Sequence, residues 1–144
     1  MNSCFIPNYY VIPSENKTYI KISLKFKGDF LDFDNIEREL GLKPAWARKR
    51  EAFPNQSPAA ADTWIYSLGY NESLLVEEEL RKFMQTLEGK IDIVNALKEQ
   101  YPLMKSILTI SIQATTKPYP LIPMCAIEFA YKTQTEIEFD PWYY

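Results

Sequence analysis

Ile20, Ile22, Leu24 and Phe26 alternate with Lys21, Ser23, Lys25 and Lys27. This period of two predicts a strand over Thr18–Lys27, with one buried face and one solvated, lysine-rich face. Gly28-Asp29 is a turn signal. The next pattern is helical. Ile36 and Leu40 lie four apart over Asp34–Leu40, and Asp34 with Glu37 has capping-box spacing. Asp32 is an alternative cap, with Leu31 stapled onto Ile36. Gly41 suits a left-handed C-terminal residue, and Pro44 blocks continuation. Residues 43–61 hold Pro44, Pro54 and Pro58 and read as a long surface loop with a brief strand around Ala45–Arg50. A loop of that length is a candidate functional surface.

Thr63–Leu68 predicts a second strand, with Trp64, Tyr66 and Leu68 on one face and Gly69 closing it. Val76, Leu80, Phe83, Met84, Leu87, Ile91, Val94 and Leu97 then recur at spacings of three and four. Asn71 or Ser73 would cap this stretch and Pro102 end it. The pattern admits one helix kinked at Gly89 or two helices broken there. Ser106–Ala114 alternates again and predicts a third strand. Pro123–Lys132 fits two templates. Ile127, Ala130 and Tyr131 make a helical face, while Cys125, Ile127, Phe129 and Tyr131 alternate as a strand would. Gln134–Asp140 predicts a final strand, with Ile137 and Phe139 on one face and Glu136, Glu138 and Asp140 on the other. Residues 1–16 carry Pro7 and Pro13 and read as an irregular lead-in, with an extended piece at Tyr9–Ile12.

Strands alternate with helices in this order, which ordinarily suggests a parallel sheet covered on both faces. Such strands are continuously apolar, whereas the first and last strands here alternate cleanly. The expected fold is therefore α+β in two layers: a mixed or largely antiparallel sheet of four or five strands, helices packed on one face, in a single domain over 1–144. If the first and last strands were neighbours, their lysines and carboxylates would form a cross-strand ladder.

Composition narrows the chemistry. The 144 residues include no histidine. That excludes histidine-based triads and histidine metal sites. Cys4 and Cys125 are far apart and have no metal-type or redox-type spacing, so two reduced thiols are expected. The four glycines are scattered and form no phosphate-cradling loop. A formal charge of −3 disfavours a dedicated nucleic-acid binder. No segment has the length of a membrane span or the layout of a signal peptide, so a cytoplasmic location is expected. No cofactor or metal is expected.

Several of these pieces together resemble a known family. They are the strand ending at Gly28, the acid-capped helix, the run Leu40-Gly41-Leu42-Lys43-Pro44, the Trp64 strand and the closing Glu136-Ile137-Glu138-Phe139-Asp140. In this order the chain resembles the bacterial domain-of-unknown-function family 4279 over about residues 17–141. Similar proteins place a Lys-Gly turn after the proline, where this chain has Lys49-Arg50. The resemblance implies a small intracellular bacterial protein, associates it loosely with toxin-immunity loci, and implies a helix over 121–132. It implies no established activity.

The aromatic residues, 15% of the chain, place Tyr9, Tyr10, Trp142, Tyr143 and Tyr144 near its two ends. Tyrosine and tryptophan suit protein interfaces, where the ring is buried and the polar tip stays wet. Arg48, Lys49 and Arg50 beside Trp46 form a small basic patch with an aromatic for stacking. These nine residues are the candidate interaction surface. The expected function is a non-enzymatic protein-interaction module, immunity-type or regulatory, with self-association left open. The alternatives are a histidine-free enzyme built on carboxylate, lysine or tyrosine groups, and a weak nucleic-acid binder through Arg48–Arg50.

Overall fold

In the computed structural model, the alternation in β2 (Thr18–Gly28) becomes the centre of a sheet. The structure describes residues 5–6, 17–50, 61–115, 118 and 121–143. Its elements run β1 (Phe5–Ile6), β2, α1 (Phe33–Leu40), β3 (Trp46–Arg48), β4 (Asp62–Glu72), α2 (Val76–Thr86), α3 (Ile91–Gln100), β5 (Lys105–Ala114), α4 (Met124–Thr133) and β6 (Glu136–Tyr143). The strand order is β1-β4-β2-β5-β6, with the short β3 also paired to β4. All pairs are antiparallel except β5–β6, which is parallel. The fold is thus α+β with a mixed sheet, and the helices pack on it. The expected extended piece at Tyr9–Ile12 and residues 51–60 of the long loop lie outside the described residues.

The core lies between one sheet face and the helices. Ile20, Ile22, Leu24 and Phe26 of β2, Trp64 and Tyr66 of β4, and Leu108, Ile110 and Ile112 of β5 form its floor. Ile36 and Leu40, then Val76, Leu80, Phe83, Met84 and Leu87, then Val94 and Leu97 cover it. These are the stripes spaced by three and four, so helical periodicity located the buried face directly. Gly89, at φ +75°, separates α2 from α3 and settles the choice in favour of two helices.

Local chemistry corrects several boundaries. The cap of α1 is Asp32, whose side chain accepts from Asn35 N at 3.1 Å. Gly41 takes the expected left-handed conformation at φ +67°. Neither Asn71 nor Ser73 caps α2. Leu75 precedes it without a side-chain cap, and Ser73 Oγ instead accepts from Leu75 N at 3.2 Å. The helix expected over 121–132 forms as Met124–Thr133, but only part of the expected face is buried. Ala126, Phe129, Ala130 and Thr133 face inward, while Ile127 and Tyr131 are exposed.

Gly69 does not end β4. The register steps from Lys21↔Tyr70 to Ser23↔Ser67, so β4 carries one residue more than β2 across the same interval. Gly69, at φ +85°, absorbs that bulge. Ser67 Oγ ties it together by donating to Ile22 O at 2.9 Å and accepting from Gly69 N at 3.0 Å. Leu68, expected in line with Trp64 and Tyr66, is 43% exposed as a result.

β5 lies between β2 and β6, so the expected neighbour ladder of lysines and carboxylates does not form. The two charged rows nevertheless share the face that carries none of the described helices, the open face, whose central Ser23, Thr109, Ser111 and Gln113 are buried rather than solvated as expected. Lys21, Ser111 and Asp140 are in register, as are Ser23, Thr109 and Glu138, and Lys25, Ile107 and Glu136. β5, which presents Ile107, Thr109 and Ser111 on this face, thus separates the two rows by about 9.5 Å.

Candidate functional site

β6 is the last strand of the sheet. Its inner edge pairs with β5, and among the described residues no strand pairs with its outer edge. It runs past the expected stop at Asp140 to Tyr143, through Pro141. Proline cannot donate to a ladder and is tolerated on an edge strand. Seven of its eight residues are exposed and Ile137 is half-buried. An exposed edge with aromatic side chains is the arrangement that soluble proteins normally cover or blunt.

The two faces of β6 differ. Glu136, Glu138, Asp140 and Trp142 share the open face with β5 residues Ile107, Thr109, Ser111 and Gln113. Thr109 Oγ1 donates to Glu138 Oε1 at 3.1 Å. Ile137, Phe139 and Tyr143 alternate onto the helix side. On that side α4 turns Cys125, Glu128 and Phe129 toward a cleft shared with Arg81, Met84 and Ile91. Its opposite flank carries Met124, Ile127 and Tyr131, at helical spacings of three and four, and all are exposed. More than half of the exposed large apolar side chains among the described residues fall between Leu121 and Tyr143. Apolar exposure concentrated in this way marks interaction surfaces better than scattered residues do.

Lys98 holds the start of this region. Its Nζ donates to Thr133 O and Gln134 O at 2.9 Å each, and to Ser106 Oγ at 3.0 Å. A cation there satisfies the last carbonyls of α4 and complements the negative helix end. Burial lowers the Lys98 ammonium below its ordinary value, against the pull of Glu136. A buried hydroxyl chain, Thr133–Thr135–Ser106, with Oγ spacings of 2.7 Å, continues the anchor into β5.

The open face has its own charge pattern. Lys21 Nζ sits 4.9 Å from the centre of the Tyr70 ring. Burial lowers its ammonium, which Asp140 partly offsets and Lys25 reinforces. The Tyr70 hydroxyl is raised, chiefly by burial, and accepts from Gln113 Nε2 at 3.1 Å. At the other end of the face, Lys27 lies directly opposite Lys105.

The nine expected surface residues do not form one patch. Trp46 and Arg48 belong to β3 on the open face, with the guanidinium 5.1 Å from the Trp46 ring centre. Lys49 turns away. Its Nζ bonds Leu31 O and Asp62 Oδ2, and lies 4.5 Å from the Phe33 ring centre. Arg50 contributes its backbone N–H to Asp62 Oδ1 at 2.7 Å. Lys49 and Arg50 are therefore joined to a buried carboxylate, a role that a basic run does not reveal. Trp142 is on the open face at the far side of the sheet, and Tyr143 is on the helix side of β6. Tyr9, Tyr10 and Tyr144 lie outside the described residues.

The sequence reading missed Met124, Ile127, Tyr131 and Phe139 as a surface group. The available signal was α4 itself, apolar on more sides than one buried face needs. The other clefts are open. One of about 470 Å³ is lined by Phe30, Leu31, Phe33, Lys49 and Asp62. Another of about 390 Å³ is lined by Asp34, Glu37, Arg38 and Lys43. Among the described residues no helix is long and apolar enough to cross a membrane, and no group of three or more histidine, cysteine or acidic side chains is placed to hold a metal ion.

Comparison with curated proteins and with solved structures returns no match. The family described as domain of unknown function (DUF4279) matches residues 16–144. With the α+β fold and the ordered Leu-Gly-Leu-Lys-Pro run, tryptophan strand and acidic closing strand already in place, the chain belongs to that family.

Proposed function

We propose that the chain is a non-enzymatic protein-interaction module, immunity-type or regulatory, that meets its partner through β6 and the exposed flank of α4. The observation that carries this reading is an eight-residue edge strand exposed on both faces, with Phe139 on the side of the sheet where Met124, Ile127 and Tyr131 line α4. Over residues 136–140, an edge with no strand partner among the described residues supplies backbone donors and acceptors, and the apolar flank supplies desolvation. The tagged chain should enrich a discrete partner from its host. Phe139→Gln should reduce that enrichment by about tenfold, as expected for a residue near the centre of an interface. Equal recovery by both chains, or no partner above background, overturns the reading.

A second reading, weak nucleic-acid binding, draws on one arrangement. Lys27 opposes Lys105, Lys25 lies two residues along β2, and none of the three is in an ion pair among the described residues. Trp46 and Arg48 lie on the same face. Like charges placed directly opposite are unfavourable unless an anion joins them. This reading expects a gel shift with single-stranded DNA that fades steeply with salt and is lost in Lys27→Glu. No shift at low salt removes it.

A further inference from the structure

We infer that the element seated on β6 is an extended partner strand carrying lysine or arginine at every second position. This rests on the interaction reading above and adds the chemistry of the partner. A strand added to a sheet edge gains its backbone bonds from the edge and its specificity from alternate side chains. On the open face of β6 those side chains are Glu136, Glu138 and Asp140, all exposed, and none is in an ion pair among the described residues. The lysine row of β2 is two strands away, with β5 between. Asp140 still acts on Lys21 and Glu136 on Lys98 through space, yet none of the three carboxylates faces a cation in the β5 register, Lys105 lying beyond the paired stretch. The helix side of β6 offers Ile137 and Phe139 instead. A complementary strand therefore alternates basic residues on the open face with apolar residues on the helix side. Pro141 offers no N–H, so the ladder centres on residues 136–140.

A second copy of the chain is the competing occupant, and its charges oppose it. Antiparallel pairing about a two-fold axis keeps both open faces on one side. Centred on Phe139, that pairing sets Glu138 opposite the copy's Asp140, and Asp140 opposite the copy's Glu138. Slid by one residue, it sets Glu138 opposite itself and Glu136 opposite Asp140. Like charges directly opposite destabilise a strand pair. The row that repels a copy of β6 is the row that would hold a basic strand.

Three blocked seven-residue peptides test this against the whole chain by amide chemical-shift titration at low salt. They are an alternating lysine–valine peptide, a glutamate–valine counterpart, and a scrambled lysine–valine peptide. The alternating basic peptide should shift the amides of residues 136–140 and bind about tenfold more tightly than either control, with affinity falling as salt rises. Glu138→Lys/Asp140→Lys should reverse the preference toward the glutamate peptide. Glu138→Gln/Asp140→Asn should abolish it without introducing a new charge. Equal binding of the three peptides, or shifts confined to other elements, overturns the inference. Partner capture separates the two claims. Loss with Phe139→Gln but full retention with Glu138→Lys/Asp140→Lys overturns the basic strand and leaves the module standing. Retention with both overturns both, and loss with both supports both.

Discussion

Replacing Trp64 with alanine is expected to lower the unfolding free energy by about 3–5 kcal/mol. The indole is fully buried, its ring centre is 5.5 Å from that of Phe26, and it lies on β4 beside the central β2. Alanine there leaves a cavity between two strands and the helices, where a packed interior relaxes only partly. A domain with total stability of about 5–15 kcal/mol loses a large share of it. Trp64→Phe should behave differently. Among the described residues, the buried Trp64 Nε1 has no hydrogen-bond partner. Phenylalanine loses packing volume but also removes the orphaned donor, and the two effects of about 1–3 kcal/mol oppose each other. Urea unfolding should place Trp64→Phe within about 1 kcal/mol of the parent chain. A phenylalanine variant as unstable as the alanine one would show that the N–H makes a stabilising contact.

The second large effect is expected at Asp62. This buried carboxylate joins three segments: Oδ2 accepts from Leu31 N at 3.0 Å and from Lys49 Nζ at 3.3 Å, and Oδ1 accepts from Arg50 N at 2.7 Å. Asp62→Ala removes all three bonds and leaves the buried Leu31 N–H without its partner, at a cost of about 2–4 kcal/mol. Burial alone would raise the Asp62 carboxyl. The Arg50 and Leu31 N–H groups, with Lys49, outweigh it and hold the carboxyl below its ordinary value. A folded-state value below the unfolded one makes the ionised form stabilising. That stability is fully present above the unfolded value of about 3.9 and is lost as pH falls through the folded value. The stability gap between the parent chain and Asp62→Asn should therefore be constant near neutrality and shrink below about pH 4. Denaturation series at pH 7 and near pH 3 check this. A gap of the same size at both would show that ionised Asp62 contributes nothing.

Much of the fold was legible because burial imposes a period. β2 and β5 alternate cleanly, and the stripe from Val76 to Leu97 marks the core side of two helices. α4 was ambiguous because Met124, Ile127 and Tyr131 add apolar positions beyond its buried face, so both periods fit. Strand order was illegible. Nothing in β2 or β6 states that β5 separates them, since charge alternation marks a shared face and not adjacency. The Asp62 junction was illegible for a related reason. Its partners come from 31, 13 and 12 residues away and converge only in the folded chain. At the candidate surface, the carboxylate row was visible as a solvated face, but Phe139 gains its meaning only because β6 is an edge. Trp46, Arg48 and Lys49 are near one another in sequence, and strand geometry sends them to different sides of the sheet.

The bulge in β4 works like a shifted reading frame. Trp64 and Tyr66 point to the core, and simple alternation would send Tyr70 after them. The extra residue at Leu68-Gly69 inverts the assignment, so Asn71 pairs with core-facing Ile20 while Tyr70 pairs with Lys21 on the open face. Loss of the bulge at unchanged length, as when Gly69 is replaced by a β-branched residue that disfavours φ +85°, restores simple alternation. It would carry Tyr70 and Glu72 into the helix layer, and Lys21 would lose the ring beneath its ammonium. The backbone conformation at this one position therefore decides which face of the sheet the last third of β4 belongs to, although no core side chain is altered.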